Sequence, residues 1–143
     1  TIIPAIAILK AGYEGSLGSL IEMLSDNQGS PINITYFWLT GILSAFLDNA
    51  PTYLVFFNIA GSSAPENLMI AEYLMREMPQ TLMAISAGAV FMGAMSYIGN
   101  APNFIVQSIA EENNVKMPSF FGYMFWSILI LVPIFALVSL IIF

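Results

Sequence analysis

Two short strings recur inside the most apolar parts of this chain: Asn49-Ala50-Pro51-Thr52 and Asn100-Ala101-Pro102-Asn103, the first preceded by Asp48 and the second by Gly99. A carboxylate, carboxamides and prolines are poor company for hydrocarbon. Proline in a helix interior removes a backbone hydrogen bond and crowds the preceding turn, so each string is expected to interrupt its helix. An interruption bares carbonyl oxygens on the ending half and N–H groups on the starting half. The helix dipole makes the first end partly negative and the second partly positive. Broken helices near the bilayer midplane are how many secondary transporters hold ions and substrates. If the two breaks face each other, Asp48, Asn49, Asn100 and the bared carbonyls form an oxygen-rich cage for Na⁺, or Asp48 takes a proton. Thr52, Ser96 and Asn103 are expected to add oxygen ligands or to hydrogen-bond an anionic substrate.

Asp48 is the sole charge between Ile32 and Gly61. An ionised Asp near a membrane helix centre costs about 2.5–3.5 kcal/mol and marks a functional candidate by default. No Lys or Arg lies in the membrane runs to neutralise it, which leaves a cation, a proton or a water-filled cavity. The plainer reading is that Asp48 only caps the outgoing half-helix, and capping and ion binding can coexist. For the asparagines and prolines the plainer reading is a kink satisfied by neighbours and water. Two kinks with matching flanks favour a binding site over that. The small residues between Ala84 and Ser96 read first as helix packing, the methionines as apolar filler, and the glutamates as solvated charges.

The elements that must position these residues follow from composition. Of 143 residues 58% are hydrophobic and 8% charged, where a soluble domain carries roughly a quarter charged. With a mean hydropathy of +0.81, the solvent must be lipid. A net charge of −6 with three basic residues argues against nucleic acid and against anchoring on anionic lipid. The absence of Cys and His excludes disulfides and zinc sites of ordinary ligands. Catalysis is not expected.

Read in order, 1–9 is the expected tail of a span whose beginning is missing, so the chain is read as a fragment. Leu17, Leu20, Ile21 and Leu24 form the stripe of an amphipathic connector over 13–31. The run 32–61 is too interrupted for one crossing and too short in each half for two. It reads as a re-entrant hairpin: in along Thr35–Leu47, turning at Asp48–Pro51, out along Thr52–Ala60, with Asn49 as N-cap. A second amphipathic connector covers 67–79. Then 80–112 is a broken transmembrane helix, with limbs Thr81–Ile98 and Phe104–Ala110 about a break at Gly99–Asn103. A full span of about the length a bilayer requires occupies 118–143. Tyr36, Trp38, Tyr123 and Trp126 are read as interface anchors or lipid-facing residues. The expected class is an all-α integral membrane protein.

The strings Leu43-Ser44-Ala45-Phe46-Leu47-Asp48-Asn49-Ala50-Pro51-Thr52-Tyr53 and Tyr97-Ile98-Gly99-Asn100-Ala101-Pro102-Asn103-Phe104 resemble a bacterial branch of the ion transporter superfamily. So do Phe37-Trp38-Leu39-Thr40-Gly41 and the passage from Met117 to Tyr123. Members of that branch are labelled sodium/proton antiporters or citrate transporters. The resemblance implies two inverted repeats, each with a hairpin and a broken helix, in a dimer moving elevator-fashion. This chain corresponds to the C-terminal repeat, whose partner is the missing N-terminal repeat. Carboxylate-transporting relatives carry a Ser-Asn-Thr type of hairpin tip, where this chain has Asp48-Asn49-Ala50. The added charge favours Na⁺/H⁺ exchange in the inner membrane, with Na⁺ or H⁺ as coupling ion and no other cofactor. Na⁺-coupled citrate or carboxylate transport is the second expectation, and a non-transporting membrane subunit the third.

Overall fold

The computed structural model describes residues 22–26 and 28–143. The expected span end over 1–9 and most of the first connector stripe, Leu17, Leu20 and Ile21, lie outside the described residues. Among the described residues the regular secondary structure is helical, apart from an isolated antiparallel bridge between Ser25 and Pro31. The helices that concern the site are α1 (Asn33–Ser44), α2 (Asn49–Ala60), α3 (Ile70–Glu77), α4 (Pro79–Met92), α5 (Ala101–Glu112) and α6 (Phe120–Ile142). Short 3-10 turns follow α2 at Gly61–Ser63 and α4 at Gly93–Met95.

Helices α1 and α2 run antiparallel as a hairpin. Tyr36, in the first turn of α1, meets Phe56 late in α2 edge to face, with ring centroids 6.4 Å apart. At the other end Ser44 and Asn49 meet across the connection. The loops before α1 and after α2 lie side by side, since Gly29, Pro31, Ser62 and Ser63 line one small cavity.

Helix α4 packs into this hairpin, and glycine makes the approach possible. A Cβ on Gly88 would collide with the carbonyl oxygen of Phe37, and one on Gly41 with the Met92 side chain. Small residues at such crossings let helix backbones come together. Phe37, Phe56, Ile85, Met92, Leu74 and Leu24 fill the resulting core. The short helix α3 is amphipathic, buries Leu74 and carries an i,i+4 ion pair, Arg76 to Glu72, at 2.9 Å. It meets the α4 segment at 107°. Pro79 opens α4, where the amide hydrogen it lacks would have had no helical acceptor.

Helix α6 has 23 residues and is long and apolar enough to cross a membrane. Ser119 caps it by accepting the Gly122 N–H at 3.3 Å. Its inner side touches the core through Phe135 on Phe91 and a bond from Trp38 Nε1 to Ser139 Oγ at 3.3 Å. Phe121, Phe125, Leu137 and Ile141 remain exposed, a surface suited to lipid.

Three expectations need correction. The incoming hairpin arm ends at Ser44, not Leu47, because the chain bends at 45–47. The first limb of the broken helix ends at Met92, not Ile98, so that break is longer than its NAP string. Of the four aromatics read as anchors or lipid-facing, Tyr36 is buried instead; Trp126 is largely exposed, and Trp38 and Tyr123 are half-buried with hydrogen bonds to Ser139 and Ala94.

Candidate functional site

At the first break α1 stops at Ser44 and the backbone turns extended at Asp48, φ −60° and ψ 147°. Asp48, not Asn49, is the N-cap of α2. Its Oδ1 accepts the N–H of Asn49 at 2.7 Å, and Asn49 is the first helical residue. Pro51 sits in the first turn, where its missing N–H leaves no bond unmade. The Asp48 carboxylate is exposed at the tip.

The second break spans the 3-10 turn Gly93–Met95 and the non-helical stretch 96–100. Ser96 is the reason α4 does not continue. Its backbone is extended, φ −138° and ψ 167°, and its hydroxyl accepts the Gly99 N–H at 2.9 Å. Such local side-chain bonds compete with the helical ladder. Asn100 takes the N-cap position of α5 with no side-chain capping bond, and Pro102 follows in the first turn. Asn103 instead turns back, its Nδ2 donating to the carbonyl of Ser96 at 3.2 Å.

The two breaks touch. Ser96 Oγ donates across to the carbonyl of Ala45, just beyond the end of α1. Ser44 Oγ donates to the carbonyl of Ala89 in α4 at 2.6 Å. Because that hydroxyl has one proton, it can only accept from Asn49. The Asn49 carboxamide is therefore oriented with its nitrogen toward three oxygens: Ser44 Oγ at 2.8 Å, Ala89 O at 3.0 Å and Gly99 O at 3.1 Å. Gly93 makes room for it, since a Cβ there would collide with this carboxamide. Gly99 is equally confined: its Cβ would fall 2.7–2.8 Å from the carbonyl oxygens of Ser44, Ala45 and Gly93. One break supplies a wedge and the other a socket.

The expected site residues thus divide into two groups. Asn49 and Ser96 are brought together, but their polar atoms already bind backbone groups and each other's break. Gly99 shapes the socket. Asp48 is exposed, as are Ala50, Pro51, Ala101 and Pro102, while Asn100 and Asn103 are half-buried. Thr52 is fully buried, and its hydroxyl has no partner. Among the described residues no group of three Asp or Glu is placed to hold a metal ion. The ends of α1 and α4 and the starts of α2 and α5 converge here, which gives the centre both signs of helix dipole.

Sequence reasoning missed Ser44, Gly93 and a pair of tyrosines. Tyr97 and Tyr123 stack with ring centroids 4.2 Å apart, Tyr123 donating to Ala94 O at 2.9 Å and Tyr97 to Pro118 O at 3.1 Å. They fasten the second break to the start of α6. A cavity of about 380 Å³, lined by Asn33, Tyr73, Glu77 and Thr81 among others, lies at the opposite ends of α1 and α4 and contains none of the expected site residues.

Compared with known families, residues 1–143 match the family described as "Putative citrate transport". No curated protein and no solved structure matches the chain.

Proposed function

The chain belongs to this citrate-transport family, and on that premise we propose that it forms part of a secondary active transporter whose translocated species are handled at the clasped breaks. In this reading α1 and α2 are a re-entrant hairpin, and α4 and α5 are one broken span. The chain is one half of an inverted-repeat protein of the inner membrane, completed by an N-terminal repeat and paired as a homodimer. Asp48 is the group that exchanges Na⁺ for H⁺. One observation carries this assignment: among the described residues Asp48 is the sole carboxylate at the breaks and stands exposed, while the neighbouring Asn49 is consumed by backbone contacts. A carboxylate that holds either a proton or Na⁺, and is carried between the two sides, couples their fluxes by competition.

A second reading is favoured by the family description: Na⁺-coupled uptake of citrate or a related carboxylate. In it the positive ends of α2 and α5, at Pro51 and Pro102, face the anion. The test is flux in proteoliposomes containing the complete protein, with cation and carboxylate varied separately. Na⁺-driven proton movement that disappears in Asp48→Asn supports the first reading. Citrate accumulation driven by a Na⁺ gradient supports the second, and unchanged flux in Asp48→Asn rejects the role of Asp48.

A further inference from the structure

Among the described residues two buried side-chain oxygens have no hydrogen-bond partner, Oγ1 of Thr40 and Oγ1 of Thr52, and both residues are fully closed off from solvent. They are not scattered. Residues 36, 40 and 44 lie on one face of α1 at helical spacing, and 56, 52 and 49 lie on one face of α2. Tyr36 meets Phe56 one turn to one side, and Ser44 meets Asn49 one turn to the other. The antiparallel register therefore sets Thr40 and Thr52 at the same level of the hairpin, between an aromatic pair and the clasp. Yet the two hydroxyls are not bonded to one another.

A hydroxyl withdrawn from water without a partner is unfavourable, and native proteins rarely leave such a group unanswered. Valine would fill the same space at either position without the penalty. Among the described residues no charged side chain is buried, and Asp48 is exposed at the tip, so a cation here would lack a countercharge. Water supplies two protons and two lone pairs to groups that each need one bond. The first turn of α2 is also loosely closed nearby, the Thr52 N–H reaching Asp48 O only at 3.4 Å. We propose that a water molecule is held between Thr40 and Thr52 as a fixed part of the hairpin. This site stands apart from the transport reading and does not depend on it.

The experiment is thermal unfolding of the full chain and of Thr40→Val, Thr52→Val and the double variant, each in NaCl and in choline chloride. A bridging water predicts that each single change lowers the melting temperature by a few degrees, while Thr→Ser at either position stays near the parent. The double variant should be no worse than the weaker single, because the bridge is lost with the first hydroxyl. Neutral, stabilising or additive Val changes would overturn the proposal. So would a Na⁺-specific stabilisation lost in both Val variants, which would make the occupant a cation. Should a Val variant fail to fold, a high-resolution structure of the parent decides. Density within hydrogen-bond distance of both oxygens supports the water; a dry contact refutes it.

Discussion

The two interruptions carry the same three residues, Asn-Ala-Pro, and use them differently. In the first, Asp48 caps α2, which releases Asn49 to turn inward onto α4 and Gly99. In the second, Asn100 stands at the cap position without a side-chain bond, and the polar work falls to Ser96 and Asn103. The first break is a four-residue bend closed on itself. The second is longer, a 3-10 turn followed by a non-helical stretch, with two glycines, Gly93 and Gly99, pressed against the first. What separates them is the residue one place earlier: Asp48 in one, Gly99 in the other. A carboxylate supplies a cap, and a glycine supplies a cavity for the opposing tip.

This asymmetry can be broken most severely from the socket side. Gly99→Ala sets a Cβ 2.7–2.8 Å from three backbone carbonyl oxygens, none of which can rotate away. The change is expected to cost about 3 kcal/mol, the upper end for overpacking, seen as a large drop in melting temperature or loss of folded protein. Gly93→Ala meets a side chain that can move, the Asn49 carboxamide. Its cost is expected nearer 1–2 kcal/mol, roughly, and the clasp should open: amide hydrogen exchange over 45–50 should quicken while α6 is unchanged. Ser96→Ala loses the bonds to Gly99 N and Ala45 O, for about 1–3 kcal/mol, and should raise exchange at the Gly99 amide.

The smallest effect on folding sharpens the comparison instead. Asn caps a helix about as well as Asp, so Asp48→Asn should leave the melting temperature nearly unchanged. The proposed role of Asp48 then requires that this well-folded variant lose Na⁺-dependent proton flux. A variant that unfolds early would mean that the charge serves the hairpin itself.

The sequence makes the existence of the breaks legible, because proline and a preceding Asp or Asn announce a helix start locally. Pro51 and Pro102 both sit in first turns for that reason. The premature end of α4 was not legible. It depends on Ser96 bonding to Gly99 and to Ala45, a residue 51 positions away. Asn49 as a cross-brace was hidden too, since an asparagine that binds an ion and one that binds a carbonyl look alike in a string of letters. Gly93 and Gly99 were the available signal: glycine in an apolar segment marks a close approach by something, and here that something is the opposing break. Tyr123 reads as a lipid-facing aromatic until the second break bares the Ala94 carbonyl beside it.

The division of labour between matching asparagines is tested most directly by unfolding Asn49→Ala and Asn100→Ala side by side in the same membrane mimic. Asn49→Ala removes a carboxamide that reaches Ser44, Ala89 and Gly99 and should melt several degrees below the parent, whereas Asn100→Ala, which loses no capping bond, should melt close to it. Equal losses, or a larger loss at Asn100, would contradict a clasp built by Asn49.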